Sequence, residues 1–160
     1  MNSTIHSNSA ESKAQMKILR VTADMKIDVL DYPTGNLTEQ NRALYQMIGK
    51  RCELFQVVQP DNMYNLLRLS REITDDNPIV VAMLVDEEGY YHNLGMNPIG
   101  SILYGITFHG QPLLGTVLFI GICLGEDNEE TFCGLSDEIL KRMKDGAEFI
   151  KKEWLCHEHL

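Results

Sequence analysis

Between Tyr91 and Gly125 the chain carries no Asp, Glu, Lys or Arg. A stretch of that length without charge belongs mostly to the interior of whatever the chain folds into. It is not a membrane span. It contains His109, Gln111 and Pro112, and five glycines fall between Ile99 and Leu124. Its unbroken apolar part, Leu113 to Leu124, is well short of the roughly 20 residues a spanning helix needs. A buried strand is the better reading, and no membrane association is expected.

Around this neutral segment lies an acidic shell. The 160 residues hold 14 Lys plus Arg against 23 Asp plus Glu, a formal net charge of −9, with 44% hydrophobic residues. That length and apolar content read as one globular domain. The charge balance argues against a protein that binds nucleic acid by neutralising phosphates, so no direct nucleic-acid binding is expected. The charge is uneven: residues 16 to 51 carry six basic side chains against four acidic ones, and the acids gather at turns and in the last helix.

The pattern along the chain predicts an α+β domain over residues 16–154. Residues 1–15 read as a polar, disordered leader without the apolar core of a secretory signal, and residues 155–160 as a flexible tail. Met16 to Ala23 and Met25 to Leu30 read as two opening strands. Asn36, followed three residues later by Glu39, predicts a helix cap and a helix to Ile48, with Leu37, Leu44 and Ile48 on one face. Leu54 to Val58 reads as a third strand. A helix opened by Asp61 follows, turning Met63, Leu66, Leu67 and Ser70 inward.

Ile79 to Val85 is the strongest strand signal of the first half. Asp86-Glu-Glu-Gly89 is expected to turn the chain into a hairpin whose return is Tyr90-Tyr91. Pro98 near a first helical position predicts helical turns over Ile99 to Tyr104. Thr116 to Ile120 reads as the last strand, and Gly125 to Glu130 as an acidic connection. Ser136 is expected to cap a helix to Trp154, with Ile139, Met143, Gly146 or Ala147, Ile150 and Trp154 on one stripe and acid-first i,i+4 pairs on the other face. Gly146 marks either close packing or a break in that helix. The whole is a mostly antiparallel sheet of about five or six strands, packed by two main helices.

The signatures of phosphate loops, acyl-transfer serines and zinc hydrolases are absent from the sequence. The four cysteines are widely spaced, which with the polar N-terminus predicts reduced thiols in the cytoplasm. Cys156, His157 and His159 form the most metal-like cluster, but a structural site needs four fixed ligands, and a frayed terminus is the better reading. No cofactor is implied. Within the neutral segment, Asn97, His92, His109 and Gln111 are the candidate ligand-binding residues, being neutral hydrogen-bonding groups set among apolar ones. The competing reading is that they satisfy buried backbone. Neither His92 nor His109 has an acidic neighbour in its own segment to orient it.

One resemblance adds to this. Ile79 to Val85 with Asp86-Glu-Glu-Gly89, then Asn97-Pro-Ile-Gly-Ser-Ile-Leu-Tyr104, Gly110-Gln-Pro-Leu-Leu-Gly-Thr-Val-Leu-Phe119 and Leu135-Ser-Asp-Glu-Ile139 together resemble a family of small proteins catalogued as domain of unknown function 3846. The likeness runs from about Met16 to Met143, in order and spacing more than in any one motif. Many members have Asn-Arg where this chain has Asn97-Pro98, so a role for that Arg does not carry over. The resemblance implies an accessory protein of a phage, plasmid or other bacterial mobile element, with Asn97 as the shared position.

The function expected is therefore binding of a host protein or a small ligand, without catalysis. The alternatives are a nucleotide-like small-molecule binder or enzyme using the neutral segment, and an acidic mimic of nucleic acid. Mimicry requires a regular row of acids. Those of the last helix alternate with Lys and Arg, and Asp75, Asp76, Asp86, Glu87 and Glu88 sit at two turns flanking one strand.

Overall fold

The computed structural model describes residues 16–158. The leader expected over residues 1–15 and the candidate ligand His159 lie outside the described residues. Two strands, β1 (Lys17–Val21) and β2 (Ile27–Asp31), pair antiparallel with Lys17 opposite Asp31 and Val21 opposite Ile27. The turn between them is tied by Thr22, whose hydroxyl accepts the Lys26 N–H at 3.0 Å. Helix α1 (Leu37–Ile48) begins at the expected cap, where Asn36 Oδ1 accepts the Glu39 N–H at 2.9 Å.

The chain continues through β3 (Phe55–Val58), α2 (Asp61–Leu67), β4 (Val80–Asp86), α3 (Pro98–Tyr104), α4 (Ile106–His109), β5 (Val117–Leu124), β6 (Glu130–Cys133) and α5 (Asp137–Glu158). The α+β class holds. The strands form one antiparallel sheet ordered β2-β1-β5-β4-β3, with β6 also paired to β5. Strand β5 meets β1 over Val117–Phe119 and β6 over Gly121–Leu124, so β1 and β6 share one edge of β5 in succession. Two glycines make that junction. A methyl on Gly121 would lie 2.3 Å from the Gly134 carbonyl oxygen, and one on Gly134 would lie 2.4 Å from Met16 Cβ. Only backbone without Cβ fits there.

Alternation along the strands splits the core in two. One face carries Leu19, Val21, Val81, Met83, Val85, Val117 and Phe119, packed with residues of α2, α3 and α5. The other carries Ile18, Val80, Ala82, Leu84, Leu118, Ile120 and Ile122, against Leu44 and Ile48 of α1. Three helices cover the first face and one 12-residue helix serves the second. Burial of both faces explains why β4 and β5 read as continuous apolar runs rather than as alternation.

Helix α5 follows its expected stripe, with Ile139, Met143 and Ala147 buried. Gly146 does not break it. A methyl there would sit 2.4 Å from Leu67 Cδ2, so the glycine serves close packing against α2. The Glu138–Arg142 pair forms at 3.2 Å.

Several expectations are corrected. Tyr90 and Tyr91 do not return as a strand: they are 82% and 81% exposed in a run of turns. Both edges of β4 are already taken by β3 and β5, so no edge remains for a hairpin partner. The sheet does not end at Ile120. Strand β5 continues to Leu124, and the acidic connection is a tight turn, with the Gly125 N–H donating to Glu129 at 2.8 Å, that returns the chain as β6. Leu66 is exposed because Met63, Tyr64 and Leu67 form the inward face of α2, and Ser70 is exposed because the helix ends at Leu67, where Arg68 takes a left-handed conformation. Helix α5 extends past Trp154, so residues 155–158 are helical rather than tail. Leu37 is 69% exposed instead of joining Leu44 and Ile48 in the core.

Candidate functional site

Among the described residues, no hydrogen bond joins Asn97, His92 and Gln111 to one another. Asn97 is fully buried and all of its amide is used: Nδ2 donates to the carbonyls of Val21 and Gly115, both at 2.9 Å, and Oδ1 accepts the Gly100 N–H at 2.9 Å. It is the N-cap of α3 and the tie between that helix, β1 and the approach to β5. Ser101 does similar work, its Oγ accepting the Leu113 N–H at 2.9 Å. The uncharged segment therefore spends these two side chains on satisfying its own buried backbone. Gln111 is exposed, and the His109 side chain lies outside the described residues. Cys156 and His157 are exposed on the last turns of α5, with His157 Nε2 3.8 Å from Glu153. Among the described residues no group of three or more His, Cys, Asp or Glu is placed to hold a metal ion.

His92 does have an acidic partner, supplied from outside its charge-free segment. The Asp86 carboxylate, buried at the end of β4, stands 2.8 Å from His92 Nδ1 and also accepts the Glu88 N–H at 2.8 Å. In the sequence Asp86 is one of a run of turn acids, Asp86-Glu-Glu. Its partner lies six residues on, across the run of turns that replaces the expected hairpin. The pair closes that loop, and the Arg51 guanidinium reaches the His92 carbonyl at 3.5 Å. Nearby Cys52 is not activated by its surroundings. Burial, and then the negative charge of Asp86, push its thiol up to about 11, the reverse of the activation a catalytic cysteine requires.

The concave surface lies elsewhere. A groove of about 940 Å³ opens at the corner of the sheet where β2, the start of α1, the loop before β4 and the β5–β6 hairpin come together. Met16, Tyr32, Leu37, Ile79, Leu124 and Phe132 supply apolar walls, and Gln40, Thr74, Asp75 and Thr131 supply polar atoms. It exists because α1 packs over β4 and β5 and leaves this corner uncovered. Leu37, which departed from the expected core face, is one of its walls. Among the described residues that line it, Asp75 is the sole charged side chain, and there is no Lys or Arg. The volume is within the ~300–1,000 Å³ typical of small-molecule sites.

Tyr32 lines the groove, as do Cys123 and Cys133. Burial, reinforced by the nearby Cys133 and Cys123 thiols, raises its phenol to about 12, so it is a hydrogen-bond donor at neutral pH. None of the groove residues was a candidate from the sequence. They come from four separated stretches, and the one local signal was a pair of apolar side chains, Leu124 and Phe132, flanking an acidic turn.

The acids are also disposed by the fold. Asp75 and Asp76 precede β4 while Asp86 ends it, so the two acidic turns lie at opposite ends of one strand, and Asp86 is buried. No helix among the described residues is long and apolar enough to cross a membrane. Comparison with protein-family models, curated proteins and solved structures found no match to this chain.

Proposed function

We propose that the chain is a non-enzymatic accessory protein of a bacterial mobile element, and that it acts by binding a small, largely apolar ligand in the groove beside α1. The mobile-element setting comes from the family resemblance. The choice of a small ligand over a host protein rests on one observation: an open, mostly apolar groove of about 940 Å³ whose single charged lining residue, among those described, is Asp75. Apolar walls supply affinity, and Thr74, Thr131 and Gln40 fix orientation.

The same lining selects against nucleotides. Phosphate recognition calls for Arg, Lys or a helix N-terminus with free N–H groups. Among the described residues that line it the groove has no basic side chain, and at the start of α1 the Asn36 side chain takes the Glu39 N–H. A neutral ligand, or one carrying a positive charge towards Asp75, is the complementary occupant.

The test is a fragment screen read by backbone amide shifts in NMR spectra. Neutral and cationic apolar fragments are expected to move the signals of Leu37, Thr131, Phe132 and Cys133 together, and nucleoside monophosphates to leave them in place. Shifts confined to the Tyr90–Asn93 loop, or shifts of the groove driven by nucleotides, would contradict the reading.

A further inference from the structure

Cys123 and Cys133 carry no motif in the sequence and are brought together only by strand register. In the β5–β6 ladder Cys133 stands opposite Gly121, and Cys123 opposite Thr131. Residues two apart on a strand share a face, so the two cysteines are diagonal neighbours on one side of the hairpin. Gly121 has no side chain to hold Cys133 away: a methyl there would lie 2.9 Å from Cys133 Sγ. The sulfur thus leans across the strand boundary onto β5, the strand that carries Cys123. Both cysteines line the groove and both are partly exposed.

Diagonal neighbours have Cα atoms ~7–8 Å apart. A disulfide needs them within about 6.8 Å, so direct oxidation of this pair is disfavoured. A bridging ion is less demanding, since two metal–sulfur bonds of ~2.3 Å span ~4.6 Å between sulfurs. Zinc in a structural site takes four ligands, and no third His, Cys, Asp or Glu stands with this pair among the described residues. Soft thiolates favour copper(I), for which a linear pair of thiolates is sufficient.

We propose that Cys123 and Cys133 form a two-coordinate thiolate site for copper(I) in the wall of the groove. This rests on the groove being an accessible binding surface, as read above. Binding replaces two S–H bonds by two Cu–S bonds, releases two protons to solvent and leaves one net negative charge on the Cys123–copper–Cys133 unit.

The test uses the full chain, reduced and free of oxygen, competing for copper(I) held by a chromophoric chelator. One copper per chain is expected. Cys123→Ser and Cys133→Ser should each weaken binding by at least the ~10-fold that loss of an outer-shell partner causes. Cys52→Ser and Cys156→Ser should leave it unchanged. X-ray absorption of the wild-type complex should show two sulfur neighbours, a readout that needs no variant to fold. Failure to take copper from the chelator, affinity that survives the Cys123→Ser/Cys133→Ser double substitution, or dependence on Cys156 would each overturn the proposal. Titration with the neutral dye Nile red runs alongside. Dye binding without copper binding removes the thiolate site and leaves the groove reading standing; copper binding without dye binding does the reverse.

Discussion

The Asn97 side chain donates a 2.9 Å hydrogen bond to the carbonyl of Val21, 76 residues earlier in the chain. The same amide group reaches Gly115 and caps α3, so one fully buried residue joins the end of β1, the start of a helix and the entry to β5. Asn97→Ala would leave buried carbonyls at Val21 and Gly115 without that donor, a loss of about 3 kcal/mol at ~1–3 kcal/mol per unsatisfied group. Urea unfolding should show a lower midpoint with unchanged slope, and ligand binding in the groove should persist at low denaturant. If stability were unaffected while ligand binding disappeared, Asn97 would be a contact residue after all.

The Asp86–His92 pair makes a different prediction. Asp86 is the side chain on which the 86–92 turns close, so His92→Ala should cost about 2 kcal/mol, typical of a charge-assisted hydrogen bond. The loss should be local: amide exchange should quicken from Glu87 to Leu94 and stay slow in β5. Uniform acceleration across the sheet would show that the pair supports the whole core instead.

Two glycines separate backbone from side-chain constraint. Gly121→Ala drives a methyl into the Gly134 carbonyl, which cannot move without unpairing β6, and should cost about 3 kcal/mol. Gly146→Ala meets only the end of the Leu67 side chain, and the ~1 kcal/mol helix-propensity gain of Ala over Gly offsets the adjustment. Thermal melts should place the second variant within about 1 kcal/mol of the parent. Equal destabilisation of the two would show that the β5–β6 junction has slack.

Alkaline stability follows from three groups, Cys52 and Tyr64 buried and Tyr32 partly buried. Burial raises the Cys52 thiol from 9.0 to about 11 and the Tyr32 phenol from 10.0 to about 12, and it raises Tyr64 as well. Above pH 9 the unfolded chain loses protons that the folded chain still holds. Stability is therefore complete below pH 9 and falls as pH rises through about 11 for Cys52 and about 12 for Tyr32. Denaturant midpoints measured from pH 8 to 12 should decline, and Cys52→Ser should flatten the first part of that decline. A flat profile in the parent would contradict the burial of these groups.

What the residues disclosed in advance, and what they withheld, divides along physical lines. The caps at Asn36 and Ser136, Pro98 at the head of its helix, and the apolar run at Ile79–Val85 are local signals, and each produced the element it implied. Strand β6 was concealed because Glu130-Thr-Phe-Cys133 is a short edge strand that begins on an acid, and its pairing depends on Gly121 having no side chain. The Tyr90-Tyr91 hairpin was expected from turn chemistry alone, which does not show that both edges of β4 are occupied. The groove is a product of tertiary coverage: α1 is too short for its face of the sheet, and Leu37 moves from expected core to groove wall. The charge-free segment pointed to the interior, where Asn97 serves the fold. The concave surface formed outside that part of the sequence, apart from Cys123 and Leu124 at its end.

Leu37→Asp tests the central claim most directly. Leu37 is exposed and begins α1, where an acidic side chain favours the positive end of the helix, so the substitution should leave the melting temperature unchanged or slightly raised. It also puts a charge into an apolar wall of the groove. The dissociation constant of the best neutral apolar ligand from the fragment screen, measured by calorimetry, should rise at least ~10-fold, the equivalent of about 1.4 kcal/mol. An unchanged constant in a stably folded Leu37→Asp protein would mean that the groove is not where this protein binds.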